Sequence, residues 1–185
     1  MDSPAKKSTS MNVAKIGSVI IILLVFYLVL ATASLEMTSS YNSSTAYTIS
    51  AGSSQYYVSQ TGSDSNSGTL TSPWKTIQKA ANILVAGDIV YVRGGTYRER
   101  VIAKNSGTNT NYITFVAYPG EIPVIDGTGL SFTYYDGLFE TGGKSYINVD
   151  GFSFTNSPGM GIHVNPGSNY INIRNNKFKS VFAYS

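Results

Sequence analysis

The chain has no cysteine in its 185 residues. That excludes disulfides, a cysteine-ligated zinc site and a cysteine nucleophile. It has a single histidine, His163. A lone imidazole is no metal site, and without a carboxylate beside it in sequence it makes a poor general base. No dense cluster of aspartates occurs anywhere. Gly94-Gly-Thr96 is glycine-rich, but no Lys-Ser/Thr follows it to open a helix, so it is not a phosphate loop. The net charge of +3 overstates the basic character, because after Ala33 ten Lys/Arg face nine Asp/Glu. Nothing global argues for nucleic acid, and none is expected as a partner.

Long hydrophobic runs are absent with one exception. Residues Ile16–Leu35 carry no charge, Lys6, Lys7 and Lys15 precede them, and Ala31-Thr-Ala33 offers small residues at a cleavage position. Two readings stand: a signal peptide over residues 1–33, or an uncleaved membrane anchor over residues 16–35. The apolar core before Ala31, about 15 residues long, favours cleavage. Met11 as the start would still leave Lys15 as the positive flank. Both readings imply an exported protein, extracellular or at the cell surface. Residues 34–54 are rich in Ser and Thr and read as a linker, with a glycosylation sequon at Asn42-Ser-Ser44. The folded domain is expected over residues 55–185.

What the chain does have is self-similarity. Tyr146-Ile-Asn-Val-Asp150 and Tyr170-Ile-Asn-Ile-Arg174 match at an offset of 24 residues. Tyr112-Ile-Thr-Phe-Val116 and Asp88-Ile-Val-Tyr-Val92 extend the register upstream, with ten extra residues between the second and third segments, assigned to a loop around Thr128–Gly137. Ile89, Ile113, Ile147 and Ile171 are expected in one column and Tyr91, Phe115, Val149 and Ile173 in another. Positions two apart share one face of a strand. A period of this size points to stacked coils, each laying its strand on the previous one.

Ahead of the coils, Gln55–Ser59 reads as a strand and Thr61–Gly68 as a polar loop. Asp64 and Asn66 are better read as an Asx-type turn than as calcium ligands, since one carboxylate is too few. Ser72-Pro73 reads as the N-cap and first residue of a helix, Trp74, Ile77, Ala81 and Leu84 as its apolar stripe, and Gly87 as its stop. Such a helix would cover the open end of the solenoid, with Trp74 as its plug.

Tyr56–Thr69, Pro73–Ala80, Ala86–Glu99 and Ala117–Gly127 together resemble the N-terminal part of right-handed parallel β-helix proteins, in particular family-nine pectate lyases and chondroitinase-B-like polysaccharide lyases. The resemblance covers about Tyr56 to Ser180. In those enzymes, it implies, calcium held by acidic side chains binds a uronate carboxylate, a Lys or Arg removes the C5 proton, and the glycosidic bond breaks by β-elimination. That calcium cluster and that base belong to later coils, and no catalytic residue can be carried over. The expectation is no cofactor in this chain, and calcium where a full-length relative is a lyase.

The candidate binding residues are Phe132, Tyr134 and Tyr135, in the inserted loop, and Lys177 and Lys179, which alternate with Phe178 and would project from one face toward an acidic polysaccharide. Each has a bland alternative: a loop packed on its own aromatics, and a solvated lysine face that protects a strand edge. Arg174 is expected to stack on Asp150 and Asn172 on Asn148. Arg93, Arg98, Glu99 and Arg100 are expected to form surface ion pairs.

The sequence therefore implies an all-β, right-handed parallel β-helix of about four coils with an N-terminal capping helix, preceded by a signal peptide or anchor. Two functions compete: a surface module that binds or supports acidic polysaccharide or cell-envelope glycan, and a polysaccharide lyase or a piece of one. The chain ends at Phe178–Ser185 without a cap, so residues 55–185 are expected to be the N-terminal part of a β-helix truncated at its C-terminus, with self-association or further coils at that end.

Overall fold

The computed structural model describes residues 52–181. The leader or anchor, the sequon and most of the linker lie outside the described residues. No helix among the described residues is long and apolar enough to cross a membrane.

Strand β1 (Gln55–Val58) and helix α1 (Ile77–Ile83) come first. They are followed by β2 (Ile89–Val92), β3 (Gly95–Tyr97), β4 (Val101–Ile102), β5 (Ile113–Ala117), β6 (Pro123–Asp126), β7 (Gly137–Glu140), β8 (Ile147–Asp150), β9 (Ser153–Ser157), β10 (Met160–His163), β11 (Ile171–Arg174) and β12 (Lys177–Val181). They form three sheets, ordered β1–β2–β5–β8–β11, β4–β7–β10 and β3–β6–β9–β12. Every strand pair within them is parallel. The chain visits the three sheets in turn and then returns to the first, one strand further along.

The tandem repeat is a set of instructions for one corner and one strand. Tyr146 and Tyr170 take left-handed backbone conformations just before β8 and β11, uncommon for a bulky residue. Their rings stack 4.6 Å apart at 8°, with Tyr112 edge-on to Tyr146 at 5.5 Å. The next residue points in, so Ile113, Ile147 and Ile171 share a column. The one after points out: Asn172 Nδ2 donates to Asn148 Oδ1 and Asn148 Nδ2 to Thr114 Oγ1, each at 2.9 Å. The predicted asparagine stack is therefore present, extended by a threonine. Arg174 lies in register with Asp150, as expected. Asp150 also accepts from Asn175 Nδ2 at 2.8 Å. Asn175 stands one period after Gly151, and both have positive φ, so an asparagine replaces glycine at the same corner.

The upstream register differs from the expectation by one residue. Ile89 pairs with Thr114, Val90 with Phe115 and Tyr91 with Val116. A one-residue slip exchanges the faces of a strand. Val90 and Val92 are the fully buried residues, and Tyr91 turns outward to stack on Tyr57 at 5.5 Å. The inserted residues are also divided. Residues 118–122 and 127–136 join β5 to β6 and β6 to β7, where the following coil uses only 151–152 and 158–159.

The cap is built differently from its predicted start. Thr76, not Ser72, is the N-cap of α1, accepting from Lys79 N at 3.1 Å. Ser72 instead closes a small bridge with Thr69. Two distant carboxylates satisfy the open N–H groups at this end, whose pairing is obligatory once buried. Asp64 accepts from Lys75 N and Thr76 N at 2.9 Å and from Thr76 Oγ1 at 2.8 Å, so it clamps the cap rather than its own loop. Glu99 accepts from Ile77 N and Gln78 N at 2.9 Å, so it is not a surface ion-pair partner. Burial pushes the Glu99 carboxyl up, against the pull of those two N–H groups.

The expected covering role is visible in atomic detail. Gln78 Oε1 accepts from Ile102 N at 2.7 Å and its Nε2 donates to Ile102 O at 3.1 Å, replacing a neighbouring strand along the edge of β4. Gln60 Nε2 donates to Thr96 O on the edge of β3. Trp74 is buried, stacked on Tyr56 at 4.7 Å, with its Nε1 donating to Asn66 O at 2.9 Å.

Candidate functional site

Residues 127–136 are held down at both ends. Asp126 accepts from Thr128 N at 3.1 Å and Thr128 Oγ1 at 2.8 Å, which fixes the exit from β6. Thr133 N and Oγ1 both donate to Asp136 Oδ2 at 2.8 Å, and Asp136 N donates to Thr133 O at 3.0 Å. This closes a tight turn with Tyr134 and Tyr135 at its centre. The turn lies across the β9–β10 corner, where Met160 N donates to Asp136 O at 2.8 Å. Only glycine fits beneath it: a Cβ on Gly159 would stand 2.4 Å from Asp136 O.

The three aromatics of the loop divide between the two readings. Phe132 packs against the core with Leu130. Tyr134 and Tyr135 stay at the surface, 39% and 71% exposed, edge-on at 5.2 Å. Beside the turn lies a charged cluster. The Arg100 guanidinium stands 5.5 Å over the Phe132 ring. Its Nη2 donates to Asp136 Oδ1 and its Nε to Glu140 Oε1, both at 2.7 Å. Glu140 is buried and also accepts from Gly137 N at 3.1 Å and Asn165 Nδ2 at 3.2 Å. Asn165 Nδ2 stands 3.3 Å from His163 Nδ1, and His163 pairs in register with Glu140. A carboxylate does neighbour His163, one strand away rather than in sequence. Hydrogen bonds from the Thr133 side chain and backbone, then the Arg100 charge, hold the Asp136 carboxyl below its usual range.

This corner offers two exposed tyrosine rings beside a fixed cation and its acids, an arrangement suited to a sugar ring: flat apolar contact plus oriented polar groups. It does not fit a calcium ion. Asp126, Asp136 and Glu140 are each committed to N–H, hydroxyl or guanidinium donors. No group of three or more metal-ligating side chains comes together among the described residues.

Lys177 and Lys179 are not part of this corner. They project from β12 with Phe178 turned inward onto Phe154 at 5.2 Å, as the alternation predicts. The arginines do form ion pairs, but with acids of the next coil: Arg93 with Glu121, Arg98 with Asp126, and Arg100 with Asp136 and Glu140. Sequence reasoning missed Arg100, Glu140 and Asn165 as parts of one cluster. It also missed the outward tyrosines Tyr57, Tyr91 and Tyr118, with Arg93 lying 4.4 Å over the Tyr118 ring.

Comparison with known proteins adds four findings. Residues 56–182 match the family described as Pel9A-like, right handed beta helix region. The chain is 34% identical over 139 residues to the uncharacterized protein YwoF of Bacillus subtilis, covering 70% of this chain and 30% of that protein. It is 40% identical over 82 residues to pectate lyase PEL9 of Emericella nidulans, covering 43% of this chain and 20% of that enzyme. Among solved structures, a rhamnogalacturonan lyase aligns with a TM-score of 0.50 at 26% identity, covering 56% of this chain and 29% of that one. The chain thus spans less than a third of the length of each of these relatives.

Proposed function

The chain belongs to the Pel9A-like right-handed β-helix family, and on that premise we propose that it is an exported polysaccharide-recognition unit that acts on acidic glycans by binding. The observation that carries the reading is the β6–β7 corner: two exposed tyrosines in a turn closed by Asp136, beside a satisfied Arg100–Asp136–Glu140 network, in a family whose relatives include enzymes named pectate lyase and rhamnogalacturonan lyase. Tyr134 and Tyr135 are the contact residues and Phe132 anchors the loop beneath them. The apolar run at residues 16–35 supports export to the cell surface. The exposed Ile173 and Phe178 beside the edges of β11 and β12 support self-association or the addition of further coils there.

The second reading is a lyase, or part of one, and the similarity to pectate lyase PEL9 favours it. The test is incubation of the protein with pectate, alginate and chondroitin, with and without calcium. Absorbance of the unsaturated product is followed, and glycan co-sedimentation is measured in parallel. Binding without product supports recognition. A calcium-dependent rise in absorbance moves the assignment to the lyase, and neither binding nor product rejects both.

A further inference from the structure

The sheet β3–β6–β9–β12 has an outer face that the tyrosine corner does not use. In register, Tyr97, Ile125, Phe154 and Phe178 form its inward row. Alternation therefore places two rows outside: Thr96–Val124–Ser153–Lys177, and Asp126–Thr155–Lys179, which Arg98, just past the end of β3, extends through its ion pair with Asp126. Lys177 and Lys179 are exposed, and the Arg98 side chain is 67% exposed. At its β3 end this face runs into a cleft of about 420 Å³ under the cap, lined by Gln60, Lys75, Thr76, Thr96, Tyr97, Arg98 and Glu99.

The acids of this region are already spent. Asp126 is buried and accepts from Asn156 Nδ2 at 3.0 Å and from Thr128 N and Oγ1, with Arg98 looser at 3.3 Å. Glu99 is turned onto the N–H groups of Ile77 and Gln78. Lys75, Lys177 and Lys179 have no ion-pair partner among the described residues. The result is a face with cations at both ends and, between them, the hydroxyls of Thr96, Ser153 and Thr155 beside Val124 and the buried Asp126. Strands β3 and β12 lie three spacings apart, about 14 Å at ~4.8 Å each.

Resting on the reading above, we propose that this face is a binding track for a single carboxylate-bearing polysaccharide chain lying along the solenoid axis, with one end in the cleft at Lys75 and Arg98 and the other at Lys177 and Lys179. Thr96, Ser153 and Thr155 face the sugar hydroxyls between. The occupant is a glycan rather than a nucleic acid because neither outer row carries an aromatic ring, and Tyr97 at the cleft is only 4% exposed. Single-stranded nucleic acids need exposed rings for base stacking. The length of the track requires a ligand of several sugar units, so a single uronic acid does not bridge it.

The test is affinity measurement on the full chain with polygalacturonate, its fully methyl-esterified form, galacturonic acid monomer and single-stranded DNA. Variants are Lys177→Glu/Lys179→Glu, the milder Lys177→Gln/Lys179→Gln, Lys75→Glu, and Lys104→Glu/Lys144→Glu as an equal double charge reversal off the track; Trp74 fluorescence reports folding. Each exposed charge contact is modest, so the double reversal is expected to weaken polygalacturonate binding about tenfold, and added salt to weaken it further. Lys75→Glu should act in the same direction, and the esterified polymer and the monomer should bind far more weakly than the acid polymer. Binding by the parent protein that the Lys177/Lys179 variants leave intact overturns the track while the acidic-glycan reading stands. An equal loss in Lys104→Glu/Lys144→Glu, or equal binding of DNA, reduces the effect to net charge and overturns the track. No binding of polygalacturonate by the parent rejects both.

Discussion

Removing Arg100 should expose how much of the corner depends on one buried carboxylate. The Glu140 side chain is only 6% exposed, and Arg100 bridges it to Asp136. Breaking a buried ion pair by deleting one partner costs about 3–5 kcal/mol, because a charge is left behind without compensation. Here the cost is smaller. Arg100 is itself 31% exposed, so water partly replaces it, and Glu140 keeps Gly137 N and Asn165 Nδ2. Arg100→Ala is therefore expected to cost about 2–3 kcal/mol, a fall in Tm of roughly 6–12 °C for a domain of this size. Glu140→Gln in the same background should restore much of it, since the residual charge is gone. Denaturant melts of both single variants and the double, followed by Trp74 fluorescence, give the coupling, expected at about 1 kcal/mol or more. Additive losses, or a Tm for Arg100→Ala within about 1 °C of the parent, would refute the argument that this pair organises the corner.

Other consequences can be measured on the same protein. The Asn156 side-chain amide, then Thr128 and Arg98, hold the Asp126 carboxyl at about 2, below its ordinary 3.8. A depressed carboxylate stabilises the fold above its unfolded value and loses that contribution as pH falls toward the folded one. Stability should therefore drop between about pH 4 and pH 2, and Asp126→Asn should flatten that part of the profile in acid melts. Gln78→Ala strips both side-chain bonds from Ile102 and is expected to cost about 1–3 kcal/mol, with faster hydrogen exchange at the β4 amides. Unchanged exchange would contradict the edge-covering role. Gly159→Ala forces a Cβ into Asp136 O and should displace the loop, read as increased proteolysis between Gly127 and Asp136 while the core amides stay protected.

Much of the fold was legible because a solenoid writes its register into the sequence. The Tyr-Ile-Asn phrase predicted the isoleucine column and the asparagine stack of β8 and β11, and the structure has both; that the tyrosines form the corner was not predicted. The upstream strands carried a weaker signal. Asp88-Ile-Val-Tyr-Val92 is apolar at both alternations, so pattern alone could not choose between Ile89 and Val90 as the partner level, and the one-residue slip went unseen. The helix start was misread because Ser72-Pro73 has the right chemistry for a cap. The determining acceptors, Asp64 and Glu99, come from 11 to 22 residues away. The corner cluster was hidden for the same reason: Arg100 reaches Asp136 and Glu140 across 36 and 40 residues. Contacts between coils follow the period only where no residues are inserted, and here the insertions fall between them.

The most direct test of the central claim is native electrophoresis of the protein through gels containing polygalacturonate or the same mass of a neutral polysaccharide. Retardation in the acidic gel alone, relieved by salt, is the expected result. Equal mobility in both gels would contradict the assignment of this family member to acidic polysaccharide.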